Sequence, residues 1–161
     1  MQEHPMLGQL ALGYSAVIDR QRAVVGTRLT LAPDAAAGPV DGGQLLQVLA
    51  EVWPDEGAAL TLGLRPMTGA APAPTQGVQL LLNATSEPLL RSLLASPAVP
   101  RFLVEVPAFL LGDADIEAAV RALADAGGAL GLKGVPHAPL DAALAACFAV
   151  QLEDTSAPAP R

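Results

Sequence analysis

The sequence is poor in cysteine, histidine and aromatic residues. Its 161 residues include one cysteine, two histidines and only 3% aromatic residues. The lone Cys147 allows no intramolecular disulfide, and no cysteines and histidines are spaced as metal ligands. Aromatic residues this sparse provide no platform for stacking nucleic-acid bases. The core must therefore be built from Leu, Val and Ala, which bury less area per side chain than Phe or Trp.

Positive charge and long apolar runs are also lacking. Nine Lys and Arg face sixteen Asp and Glu, which gives a formal net charge of −7. This balance argues against nucleic acid or an anionic membrane as a direct partner. No apolar run reaches the roughly 18 residues of a membrane span, and the first residues lack the pattern of a secretory signal. We therefore expect a cytoplasmic protein.

The chain has the length of a single domain. We predict a flexible leader over residues 1–8, one α/β domain over 9–153, and a disordered tail or linker over 154–161. Inside the domain, 58–64 is a candidate strand. Residues 66–77 hold three prolines and two glycines, which predicts a mobile loop.

Two β-branched segments open the domain. Residues Leu10–Asp19 and Ala23–Leu31 are joined by the short polar link Arg20-Gln21-Arg22, which predicts an antiparallel hairpin with Arg28 inside its second strand. After them, helical stripes alternate with apolar strand segments, as in βαβ units with a parallel sheet and right-handed crossovers. The predicted helices begin at the caps Asp41, Ser86 and Asp113 and also cover 138–146, and the further predicted strands are 78–82, 101–106, 129–132 and 148–152.

Motifs of the common enzyme classes are missing. The sequence contains no GxSxG, P-loop, GxGxxG after a strand, or HExxH. Cys147 lies in an apolar context, which favours an inert buried thiol over a nucleophile. We therefore expect no cofactor.

Four segments follow one another in a recognisable order across residues 9–153: Val17–Leu29, Leu81–Asn83, Phe102–Pro107 and Ala126–Val135. Together they resemble EAL domains, which hydrolyse cyclic di-GMP, and most closely the branch fused to HDOD domains. That branch has an Asp-Arg turn before a Val-Val-Gly strand, and a later Glu-Ile-Pro strand end. The resemblance implies an incomplete TIM-barrel-like fold, because a full barrel takes about 250 residues.

The resemblance also implies where a metal site would lie. EAL domains hold divalent cations on acidic residues at the strand ends, where the metal activates water for phosphodiester hydrolysis. Arg28 stands at the position of the signature Glu, and Lys133 begins the pair that replaces Asp-Asp, while Asn83 and Glu105 match the family's ligands. A cation a few Å from a divalent metal is repelled by kcal/mol even at an effective dielectric near 20. The resemblance therefore implies a degenerate site that binds no metal and an inactive enzyme.

The last predicted strand carries two further positions of the pattern. Gln151 stands where the family has Lys, and Glu153 stands where it has Asp. Arg28 and Lys133 could together bind a phosphate or nucleotide, or Arg28 could pair with Glu105 or Glu153 in a structural salt bridge. Asn83 is also explained as a helix-entry residue, and Glu105 as a solvated strand end.

The leading interpretation is an inactive EAL-like signalling module that acts through a protein partner or an adjacent regulatory domain such as HDOD. The alternative is a non-hydrolytic sensor of cyclic di-GMP or another phosphorylated nucleotide, and a third is an active metal-dependent phosphodiesterase. An open sheet leaves an unpaired edge, which either a homodimer or additional segments of the same chain could cover.

Overall fold

The computed structural model describes residues 4–53, 80–99 and 101–153. Within these ranges the chain forms a curled sheet of six strands with helices packed on it. The strands are β1 (Leu10–Ile18), β2 (Val24–Pro33), β3 (Leu80–Ala84), β4 (Phe102–Pro107), β5 (Ala129–Lys133) and β6 (Val150–Leu152). The helices are α1 (Gly42–Val52), α2 (Glu87–Leu94), α3 (Ala114–Asp125) and α4 (Ala142–Ala145), with 3₁₀ turns at Leu7–Gln9 and Ala108–Leu110.

The strands lie side by side in sequence order from β1 to β6. β1 is antiparallel to β2, and every later neighbour is parallel. The α/β class, the opening hairpin and the parallel sheet predicted from the sequence are therefore confirmed. The predicted strand 58–64, the loop 66–77 and the tail 154–161 lie outside the described residues.

Side-chain caps begin α1, α2 and α3 at the residues that the sequence indicates. Asp41 accepts a hydrogen bond from the backbone of Gln44, and Ser86 accepts one from Leu89. Asp113 caps α3 and also receives a hydrogen bond from Arg91, which lowers the pKa of the Asp113 carboxyl. The capping predictions are confirmed, because these contacts are local and need only the right residue at the helix start.

The main core lies between the sheet and the helices. Alternate residues of β2 to β5 point into it and meet the apolar stripes of α1, α2 and α3, where buried leucines dominate. On the opposite, concave face a smaller cluster consists of Leu81 and Leu103, with partly buried neighbours around them. The helices therefore cover one face of the sheet and leave the concave face to its own side chains.

Several predicted boundaries are wrong. The fourth helix covers Ala142–Ala145 instead of 138–146, because Asp141 accepts from the backbone of Leu144 and starts the helix there. Strand β6 begins at Val150, since Phe148 turns into the helix-side core. Strand β3 extends through Ala84, so that Asn83 lies within the strand.

Part of the predicted leader contacts the folded domain. Met6 and Leu7 pack against the main core, and a 3₁₀ turn leads directly into β1. In the part of the chain that the structure describes, no helix has the length and apolar character needed to cross a membrane.

Candidate functional site

The concave face carries the polar residues that the sequence singles out. Arg28 and Leu81 are Cα partners, as are Leu81 and Leu103, so Arg28 shares the face of this apolar pair. Because side chains alternate along a strand, Asn83 and Glu105 lie on the same face, one step nearer the carboxyl ends. Lys133 follows two residues after Gly131, which pairs with Glu105. The sheet thus brings four of the five predicted site residues to one face.

Arg28 and Glu105 form an ion pair across this face. Arg28 Nε donates to Glu105 Oε2 at 2.8 Å, although β3 lies between their strands. Glu105 is only 2% exposed, and its buried Oε1 has no hydrogen-bond partner among the residues that the structure describes. Glu105 as a solvated strand end is therefore wrong, whereas its pairing with Arg28 is confirmed. The strand end is buried because the sheet curls over its own concave side chains.

Lys133 on β5 and Asn83 on β3 form a second contact, which crosses β4. Lys133 Nζ donates to Asn83 Oδ1 at 3.3 Å, and Asn83 Nδ2 donates to Thr30 Oγ1 at 3.3 Å. The Asn83 side chain therefore serves this cross-strand network and not the entry of α2, where the cap is Ser86. Thr30 was missed by the sequence interpretation, since a threonine in a strand carries no signal of such a role.

Both cationic side chains extend over the centre of the sheet. Arg28 extends from β2 across β3 to β4, and Lys133 extends from β5 across β4 to β3. Two positive groups and one carboxylate share this region, which leaves an excess of positive charge in a protein of net charge −7. The local sign is thus opposite to that of the whole chain.

Gly131 keeps the face closely packed beside Glu105. A Cβ at this position would lie 2.8 Å from Leu103 Cδ2 and 3.2 Å from Val150 Cγ1. The missing side chain lets these two apolar groups close in next to the carboxylate. The need for glycine at position 131 cannot be predicted from the sequence, because the close approach arises only when β4, β5 and β6 are adjacent.

The fifth predicted residue is not part of the network. Glu153 is exposed after β6, and within the described ranges no hydrogen bond or ion pair joins it to the other four. Gln151 is also exposed, and its side-chain amide donates to the carbonyl of Gly134 at 2.9 Å. Arg28 therefore pairs with Glu105 and not with Glu153, the other partner considered from the sequence.

The donor set does not fit a divalent cation. Asn83 and Glu105, the two residues that match the ligands of EAL domains, each contact a positively charged side chain. Among the described residues there is also no group of three His, Cys, Asp or Glu that could hold a metal ion. A metal here would have to displace Arg28 and Lys133 and then tolerate both charges nearby.

Cys147 lies away from this network, just after the short helix α4. Its Sγ donates to the carbonyl of Ala143 at 3.4 Å, and burial raises the pKa of the Cys147 thiol. Cys147 is only partly buried, so the predicted full burial is wrong, but the raised pKa keeps the sulfur protonated at neutral pH, as expected of an unreactive thiol.

Comparisons of the chain with protein-family models, with curated proteins and with solved structures find no match. The resemblance to EAL domains therefore rests on the motifs in the sequence, and the functional argument rests on the geometry of the concave face.

Proposed function

We propose that this chain is a catalytically inactive, EAL-like signalling module with an incomplete TIM-barrel-like fold, and that it acts in the cytoplasm through contacts with a protein partner or an adjacent regulatory domain. The observation that carries the proposal is the pairing of Arg28 with Glu105. A carboxylate that already neutralises a guanidinium is a poor metal ligand, and without the metal no water is activated for phosphodiester hydrolysis.

Two exposed apolar side chains support action through protein contacts. Phe109 is 72% exposed and Val135 is 68% exposed. Each lies two residues beyond the paired residues Pro107 and Lys133, so both follow the carboxyl ends of neighbouring strands. A partner that covers this end of the sheet would bury them and gain roughly 25 cal/mol per Å² of apolar surface.

The inactive state is tested by incubating the chain with cyclic di-GMP and Mn²⁺ and measuring the linear dinucleotide. We expect product at the level of the protein-free blank, because Arg28 and Lys133 stand where the resemblance implies the acidic ligands of EAL domains. A catalytically active EAL domain serves as the positive control. Product above the blank that scales with the concentration of this chain would overturn the inactive assignment.

The interaction is tested with a surface variant, Phe109→Ser combined with Val135→Ser. We expect the wild-type chain to retain a protein partner from its native cell after crosslinking. The double variant should retain at least tenfold less of this partner. Val52→Ser, at an exposed position on α1, is the matched control and should retain the partner. Equal retention by the double variant and the wild type would contradict the assignment of this surface.

One observation favours a second function, the binding of a phosphorylated nucleotide without hydrolysis. Within the described ranges Arg28 donates only through Nε, and its side chain is 26% exposed, so its two Nη groups can still donate to a phosphate. Lys133 adds a second cation on the same face. Guanidinium and ammonium groups on one face are a common means of binding phosphate oxygens.

Calorimetric titration with cyclic di-GMP separates this candidate from the first. If the site binds the nucleotide, Lys133→Ala should weaken binding about tenfold, the loss of one charge-assisted hydrogen bond. Arg20→Ala, in the exposed hairpin turn, should leave the affinity unchanged. Absence of heat at millimolar nucleotide, with and without Mg²⁺, would eliminate the sensor.

A further inference from the structure

The two edges of the sheet are protected very differently. β6 has only three residues, and a short edge strand offers little template for another strand. β1 is nine residues long and contains no charged residue and no proline, the features by which proteins usually block an edge. Its middle residue, Tyr14, is 64% exposed. An edge of this length that no described residue covers indicates a strand that is paired in the functional state.

The backbone of β1 shows which of its groups are free. The carbonyl of Gln9 accepts from the backbone of Asp34, and antiparallel ladders bond alternate residues. The odd-numbered residues of β1 therefore bond to β2. Leu12, Tyr14 and Ala16 direct their N–H and C=O groups away from it, and these groups have no hydrogen-bond partner among the described residues.

The geometry points to a homodimer in which β1 pairs antiparallel with β1 of a second copy, about a two-fold axis at Tyr14. This register places Tyr14 opposite Tyr14 of the second copy and Leu12 opposite Ala16, all with outward-pointing backbone groups. In this register the full length of Leu10–Ile18 in one copy pairs with the full length of the same strand in the other. The paired strands would gain about six hydrogen bonds, two for each bonded pair of residues.

The side chains of β1 are complementary to the same strand reversed. On one face the large Leu12 meets the small Ala16, and on the other face Gly13 meets Ser15. No pair contains a charge, so the strand offers nothing to a charged foreign peptide and places no like charges opposite each other. Pairing of β1 with a second β1 therefore hydrogen-bonds the free backbone groups and places compatible side chains opposite each other.

The two-fold register also limits the size of the assembly. Because the β1 edge of each copy is paired with that of the other, and β6 is short, the assembly closes at two copies. The pairing does not depend on the proposed function, since the ion pair and hydrogen bonds between Arg28, Glu105, Lys133 and Asn83 take no part in it.

Sedimentation equilibrium of the full chain tests this dimer. We expect the wild type to sediment at twice the chain mass of 16.3 kDa. Ala16→Lys places a cation opposite Leu12 of the second copy and should weaken association at least a hundredfold. Ala146→Lys, at an exposed position beyond α4, adds the same charge away from the edge and should leave the dimer unchanged.

A second variant removes a backbone donor without adding charge. Ala16→Pro deletes an N–H that points away from β2, so the hairpin ladder stays complete and the circular dichroism spectrum should match the wild type. The dimer loses two symmetric hydrogen bonds, so its dissociation constant should rise at least tenfold. Either variant that remains folded is sufficient to judge the pairing.

Amide hydrogen exchange identifies the interface directly. The amides of Leu12, Tyr14 and Ala16 should become protected as the protein concentration rises, whereas those of Gly13 and Ser15 should be protected at every concentration. A wild-type chain that stays monomeric from micromolar to millimolar concentration would overturn the inference. So would a dimer whose affinity and exchange pattern are unaffected by both changes at Ala16, since it would use another surface.

Discussion

Replacement of Arg28 by alanine should lower the free energy of unfolding by about 3 kcal/mol, the low end of the cost of breaking a buried ion pair. Glu105 would remain in its buried position with neither carboxylate oxygen hydrogen-bonded, since Oε1 already has no partner. Arg28 itself is partly exposed, so some water can reach the vacated space, which is why we take the low end. Urea denaturation followed by circular dichroism measures the change.

A double variant separates the cost of leaving Glu105 buried without its partner from the net contribution of the ion pair to stability. Arg28→Met combined with Glu105→Leu removes both charges and fills similar volume, and we expect its free energy of unfolding to be within about 1 kcal/mol of the wild type or higher. Arg20→Ala, in the exposed turn, should change it by less than about 0.5 kcal/mol. If Arg28→Ala lowers the free energy of unfolding no more than Arg20→Ala does, the ion pair does not stabilise the buried Glu105.

Replacement of Gly42 by alanine should destabilise the protein by about 3 kcal/mol, the cost of overpacking a closed contact. A Cβ at Gly42 would lie 2.6 Å from the backbone nitrogen of Leu93 and 2.7 Å from the carbonyl carbon of Ser92. These are backbone atoms of α2 that no side-chain rotation can move. Helices α1 and α2 would have to separate, and the hydrogen bond from Gly42 N to Ser92 Oγ at 2.8 Å would be lost.

The adjacent Gly43 is the matched control. Its added Cβ would meet only side-chain atoms, Asp41 Oδ1 at 3.3 Å and Ser96 Oγ at 3.4 Å, which can shift by a few tenths of an ångström. Alanine also favours a helix over glycine by up to about 1 kcal/mol. We therefore expect Gly43→Ala to be neutral or slightly stabilising in thermal denaturation. Equal losses for the two alanine variants would show that the approach of α1 to α2 is not what requires Gly42.

The local elements of this fold are predictable because their causes are local. The caps at Asp41, Ser86 and Asp113 need only a polar side chain at a helix start, and the hairpin needs two β-branched segments and a short turn. The predicted fourth helix fails for a related reason. Its composition favours a helix over 138–146, but the cap at Asp141 sets the beginning four residues later.

The candidate site was predictable only in part. The sequence and the family resemblance identify Arg28, Asn83, Glu105 and Lys133, and the structure places all four on the concave face. They do not identify Thr30, whose role depends on lying opposite Asn83 in the neighbouring strand. Glu153 was included because of its position in the pattern, and the sheet leaves it exposed beyond the network.

The sequence by itself determined the composition of the core, the alternation of strands and helices, and the positions of the cations Arg28 and Lys133 in or next to strand segments. Only the tertiary structure decided that Glu105 is buried, that Arg28 reaches it across β3, and that no other described strand pairs with the outer edge of β1. The physical reason is that alternation along a strand fixes the face of each side chain. Strand order and register, which depend on contacts distant in sequence, decide which side chains meet on that face.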